Sequence, residues 1–94
     1  MQKSLHTEQQ ERLLSLLRQL RQDSNVTQDE LSLRIGMSQS DISKVERGVR
    51  RLDVLELRVW LKGLGASLPD FAVELDAALD AIATRNRRAL KRAK

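Results

Sequence analysis

Residues 27 to 52, TQDELSLRIGMSQSDISKVERGVRRL, hold two short helix signals separated by a glycine turn. Each helix opens on a hydroxyl followed three residues later by an acid, Thr27 with Glu30 and Ser38 with Asp41. At that spacing a side-chain oxygen can accept one of the backbone amides that a helix start leaves unpaired. Gly36 occupies the turn, and Gly48 is placed to end the second helix in a left-handed conformation.

The second of these helices is two-faced. Stepped from Gln39 at 100° per residue, Gln39, Ser40, Ser43, Lys44 and Arg47 fall within about 140° of one another, while Ile42 and Val45 lie opposite. The apolar pair is the buried stripe. The outward set consists of amides, hydroxyls and cations, whose donors and acceptors match base edges and phosphate oxygens in a major groove. Two readings fit such a face taken alone: the solvated side of an ordinary bundle helix, or a surface that reads DNA.

The 94 residues make a single domain with one small core. Trp60 and Phe71 are the only large rings, so leucine must supply most of that core, and the abundance of strong helix formers points to an all-α fold. The absence of Cys excludes disulfide frameworks, thiolate zinc sites and thiol nucleophiles. No apolar run approaches the roughly 20 residues of a membrane span, and no signal-peptide stretch opens the chain, so a cytoplasmic, nucleoid-associated protein is expected. The formal net charge of +4 is unevenly spread. Residues 85 to 94, RNRRALKRAK, carry six cations and no anion, Asp70, Glu74, Asp76 and Asp80 make the preceding stretch acidic, and the remainder is only mildly positive. Any contact with nucleic acid must therefore work through a local patch.

Five helices are predicted. Thr7 with Gln10 opens helix 1, whose Leu13, Leu14, Leu17 and Leu20 form one stripe. Leu31 and Ile35 point inward from helix 2. Asp53 with Glu56 opens helix 4, which carries Leu57, Trp60, Leu61 and Leu64 up to Gly65, and Ser67 caps helix 5 with Pro69 tolerated in its first turn. Along helix 5, Leu68, Phe71, Ala72, Leu75, Leu79 and Ile82 recur at spacings of three and four, further than a small core can cover. The surplus stripe is expected to form a homodimer through Phe71, Leu75, Leu79 and Ile82. The organisation expected is a domain over 8–84 with a basic tail over 85–94, and residues 1 to 5 and 88 to 94 fraying.

The spacing of Gln28, Leu31, Gly36, Ser38, Ile42, Val45, Glu46 and Gly48 resembles the helix-turn-helix of phage repressor and Cro-type regulators, the XRE family, over about residues 10 to 72. The resemblance implies a five-helix, lambda-repressor-like DNA-binding domain acting as a dimer, with helix 3 in the major groove. Gln39, Ser40, Ser43 and Lys44 would then read bases. Gln28 would contact phosphate and brace Gln39, and Arg18, Arg47, Arg50 and Arg51 would hold the DNA backbone. Arg21 and Glu46 would pair to orient the reading helix, a role distinct from net stabilisation. Asp41 is read as the capping partner of Ser38, and Leu33, where the family is usually charged, as a protein contact.

The function this implies is a sequence-specific transcriptional regulator, a repressor, on an approximately palindromic stretch of double-stranded DNA. Two alternatives stay open: the antitoxin of a toxin–antitoxin pair, which binds a toxin as partner protein and represses its own operon, and a restriction-modification controller. An enzyme is not expected. His6 is the only His, near a chain end, and neither a phosphate-binding glycine loop nor a metal-ligand cluster is present, so no cofactor and no metal are expected.

Overall fold

Each of the helices after the first begins on a side chain that takes up an orphan amide. The computed structural model describes residues 5–92, with side chains over 7–88. It contains α1 (Leu5–Asp23), α2 (Gln28–Ile35), α3 (Gln39–Glu46), α4 (Val54–Gly63) and α5 (Leu68–Arg92), and no strand among the described residues. Thr27 and Glu30 close a reciprocal capping box on α2, with Thr27 Oγ1 accepting from the Glu30 amide at 3.0 Å and Glu30 Oε1 from the Thr27 amide at 3.2 Å. Asp53 and Glu56 do the same on α4, at 2.7 and 3.1 Å. On α3 and α5 the cap is one-sided: Ser38 Oγ accepts from Asp41 N at 3.0 Å, and Ser67 Oγ from Asp70 N at 3.2 Å.

The turn between α2 and α3 passes through Gly36 at φ 72°, a left-handed conformation that costs an L side chain energy even though the space around it is open. Gly63 works by size instead. A Cβ there would lie 2.6 Å from Ile35 Cγ2 and 3.0 Å from Leu31 Cδ1, so the end of α4 approaches α2 only because the position is bare.

The apolar stripes converge on one core of Leu17, Val26, Leu31, Ile42, Val45, Trp60, Leu61, Leu64 and Phe71. α1 packs on α3 and α5, α2 on α3 and α4, and α4 on α5. This places α3 with Ile42 and Val45 in the core and its opposite face outward. No helix among the described residues is long and apolar enough to cross a membrane.

Three expectations change. α1 already runs at Leu5, so Thr7 lies inside its first turn; Leu5 and His6 carry no helix breaker, and extending an existing helix costs little. No break separates a domain from a tail at residue 84, because α5 continues to Arg92 through a stretch free of Gly and Pro whose cations suit a helix C-terminus. Thus 88–92 are helical, while 1–4 and 93–94 lie outside the described residues. Phe71, expected at a dimer contact, is only 5% exposed and belongs to the monomer's own core, because the first turns of α5 are the part that closes the bundle. Leu75 leans on that core from its edge. Leu79 and Ile82 are half-buried, and Ile82 lines a groove against Ser15 and Arg12 of α1.

Candidate nucleic-acid interface

The polar face of α3 is tied to the rest of the molecule through one buried carboxylate. Glu46, in the last turn of α3, is 3% exposed, and Arg21 of α1 grips it with two parallel bonds, Nε to Oε2 at 2.7 Å and Nη2 to Oε1 at 3.1 Å. Arg21 also donates from Nη1 to the Val26 carbonyl at 2.9 Å, which fixes the guanidinium plane. The brace expected from the sequence is therefore formed. It extends further than expected: Gln28 Nε2 donates to Glu46 Oε1 at 3.0 Å, and Gln39 Nε2 donates to Gln28 Oε1 at 2.7 Å. A continuous line of side chains runs from α1 through the end of α3 and the start of α2 back to the first residue of α3.

Gln39, Ser40 and Lys44 stand exposed on the outward face, with Ser43 half-buried between them. Ser43 Oγ accepts from Arg47 Nε at 3.3 Å, so this hydroxyl and guanidinium are preset as a pair. Asp41 enters the α3 cap through its backbone amide rather than a reciprocal side-chain bond. Its carboxylate lies near Arg50, lining the same shallow cleft beside Ser38 and Glu56.

Of the five positions expected to hold phosphate, Arg18 and Arg50 are committed to groups away from the polar face of α3. Arg50 Nη2 is bonded to Glu56 Oε2 at 2.7 Å, which holds the guanidinium's pKa above its ordinary value and the Glu56 carboxyl's below its own. The reason is local: six residues separate the pair, and the α4 capping box fixes Glu56 within reach of the loop that follows α3. Arg18 Nη2 donates to the Glu46 main-chain carbonyl at 2.8 Å, closing the C-terminal end of α3. Arg47 and Arg51 are exposed beyond α3. Gln28 is half-buried in the line of amides and retains one N–H at the start of α2.

The Gln28 to Glu46 bond and the Arg18 cap carry no signal in sequence spacing, since their partners lie 18 and 28 residues away. Only the packing of α1 and α2 on α3 brings them together. Leu33 is 86% exposed on the outer face of α2.

This geometry has known counterparts. The chain matches the helix-turn-helix family model over residues 17–71, more than half its length. The chain belongs to the XRE family of helix-turn-helix regulators. An XRE-family like protein from Pseudomonas syringae pv. tomato superimposes with a TM-score of 0.74 at 37% identity, over 78% of this chain and 89% of that one. The clp gene regulator ClgR from Corynebacterium glutamicum does so with a TM-score of 0.70 at 30% identity, over 86% of both chains. The restriction-modification controller protein C.Esp1396I, solved as a tetramer with its natural 35 base-pair operator, shares the fold at 24% identity and a TM-score of 0.69, over 76% of this chain and 93% of that one. Among curated proteins, none matches this sequence. As an XRE-family protein the chain is a DNA-binding transcriptional regulator.

Proposed function

We propose that this XRE-family protein is a sequence-specific repressor that binds an approximately palindromic operator as a homodimer, with α3 in the major groove of each half-site. One observation carries the reading: the Gln39 amide is exposed at the start of α3 yet held by a 2.7 Å bond to Gln28, on a helix whose other face is buried in the core. A solvated surface has no need of such positioning. A base-reading side chain does, because discrimination depends on donors and acceptors held in one plane with the base edge.

In this reading Gln39, Ser40, Ser43 and Lys44 face bases. Phosphates are met by the spare Gln28 N–H, by the free amides at the starts of α2 and α3, and by Arg47 and Arg51. Arg18 and Arg50 act from behind, the first by capping α3 and the second by fixing the loop to α4.

The dimer contact proposed is the outer face of α5, where Ala72, Val73, Leu75, Asp76 and Leu79 line an open, largely apolar hollow. Val73 is 73% exposed there. The charges of α5 favour an antiparallel pairing of two copies, which sets Asp70, Glu74, Asp76 and Asp80 of one protomer opposite Arg85, Arg87 and Arg88 of the other.

Selection of bound sites from random duplexes tests the proposal. The expected result is a symmetric site with half-sites about 34 to 36 Å apart, one turn of DNA. Enrichment of no sequence, with only salt-sensitive general binding left, would refute it.

A further inference from the structure

Arg50 uses only part of its guanidinium within the fold. Its Nη2 donates to Glu56 Oε2 at 2.7 Å, in the cleft beside Ser38. Its Nη1 is shut off from solvent and meets no hydrogen-bond acceptor among the described residues. A buried donor left unpaired is costly, and folds retain few of them. The same side chain also lines a second hollow, bordered by α1, the end of α3, the loop that follows it and the start of α4.

That hollow encloses about 160 Å³. Its apolar lining is Leu13, Leu14 and Leu17 of α1, Val45 of α3, Leu52 of the loop and Leu57 of α4, with Leu17 and Val45 each 1% exposed. Gln10, Arg50 and Arg51 supply its polar groups. The loop is pinned at both ends and so does not fall inward to fill the space. The Val49 and Arg50 amides both donate to the Lys44 carbonyl, at 2.8 and 3.2 Å, and Asp53 is fixed in the α4 cap. Gly48, at φ 80°, makes the turn beside Leu14, whose Cδ1 would stand 3.2 Å from a Cβ there.

A leucine-lined space of this size takes a molecule about as large as benzene. Charge narrows the chemistry further. Arg50 and Arg51 line the hollow and no carboxylate does, which disfavours a cation. An anion gains little at Arg50, because Glu56, Asp41 and Asp53 already act on its charge and hold its pKa above the ordinary value. What Nη1 lacks is a neutral acceptor.

We infer that this hollow is a binding site for a small uncharged molecule with a compact apolar body and one oxygen acceptor, of which a ring ketone is the simplest, the oxygen accepting from Arg50 Nη1. The site lies behind the polar face of α3, and it stands or falls independently of how that face meets DNA.

The test titrates the full chain with cyclohexanone, benzene and cyclohexylamine, the last a cation at neutral pH, while following leucine methyl signals by NMR. Cyclohexanone and benzene are expected to shift Leu13, Leu14, Leu52 and Leu57 to saturation and to leave Leu33 and Leu55, which lie outside the hollow, in place. Cyclohexylamine is expected to shift none of them. Failure of cyclohexanone to saturate, equal shifts in all the leucines, or saturation by cyclohexylamine overturns the inference. Arg50→Met removes the donor at similar length, so the cyclohexanone-to-benzene affinity ratio is expected to fall by about tenfold or more, the worth of one hydrogen bond to a charged group. An unchanged ratio overturns the inference. If Arg50→Met does not fold, as judged by circular dichroism, Leu52→Phe replaces it and fills the hollow from the loop side. Both neutral probes are then expected to lose their binding, and binding retained at wild-type strength overturns the inference.

Discussion

Arg18 donates from Nη2 to the main-chain carbonyl oxygen of Glu46 across 2.8 Å, so α1 supplies the C-terminal cap of α3. A cation at that end also meets the negative pole of the helix. The same α3 residue thus receives α1 twice, through its carbonyl from Arg18 and through its carboxylate from Arg21.

Arg18→Ala should therefore act on stability more than on DNA contact. Loss of one charge-assisted bond at a partly exposed site is expected to cost about 1 kcal/mol, read from urea unfolding. The slope of log affinity against log salt should stay as in the wild type. A slope shallower by roughly 0.9 would mean that Arg18 leaves the cap and neutralises a phosphate.

Arg21 and Glu46 are 13% and 3% exposed, and a pair so buried is expensive to break from one side. Arg21→Met strands a carboxylate away from water and should destabilise the fold by about 3 kcal/mol or more. Replacing both, as Arg21→Met with Glu46→Leu, should restore most of that loss while abolishing base discrimination at α3. The pair would then be a device for orientation, and a double-mutant cycle with parallel binding assays separates the two effects.

These partners show which features a sequence can carry. Capping pairs such as Thr27 with Glu30 and Asp53 with Glu56 are legible because both partners lie within four residues and act through the backbone. The inward stripe of α3 is legible by its period. The second role of Arg18 is not, because a cation on a helix surface has the same appearance whether it meets phosphate or a carbonyl 28 residues away. The ion pair of Arg50 is hidden for the same reason: its partner Glu56 is itself part of a cap, and nothing in the spacing says that its outer oxygen is available. Phe71 shows the limit of periodicity, which reports that a face is apolar but not whether the monomer or a second copy covers it.

Acid should unfold the protein partly through its capping boxes. The Glu30 carboxyl is held below its ordinary pKa first by the Thr27 amide and then by the Thr27 hydroxyl; that of Glu56 is held down first by Arg50 and then by the Asp53 amide. A carboxylate whose pKa is lower in the folded state contributes stability that is complete above its unfolded value and is lost as pH falls through the folded one. The contribution should therefore be intact at neutral pH and fade below about pH 4.3. Glu30→Gln and Glu56→Gln should each flatten the acid limb of stability against pH, measured as thermal midpoints between neutral and acidic buffers. An unchanged limb in both would show that these bonds persist in the unfolded chain.

The ring and the leucines of α5 separate folding from assembly. Phe71→Ala removes a ring that is 5% exposed and should cost about 3 to 5 kcal/mol of stability, with any pairing of copies lost only because the fold is. Leu79→Asp places a charge on the half-buried outer side of the same helix, next to Asp76, and should leave the circular dichroism of the monomer close to wild type. If two copies pair along this face, sedimentation should then report a monomer. Affinity for a two-half-site operator should fall steeply while binding to an isolated half-site stays as it was, because only the linkage between the two α3 helices is lost. A dimer that survives Leu79→Asp would place the contact on another surface, and Leu33, exposed on α2, is the next position to change.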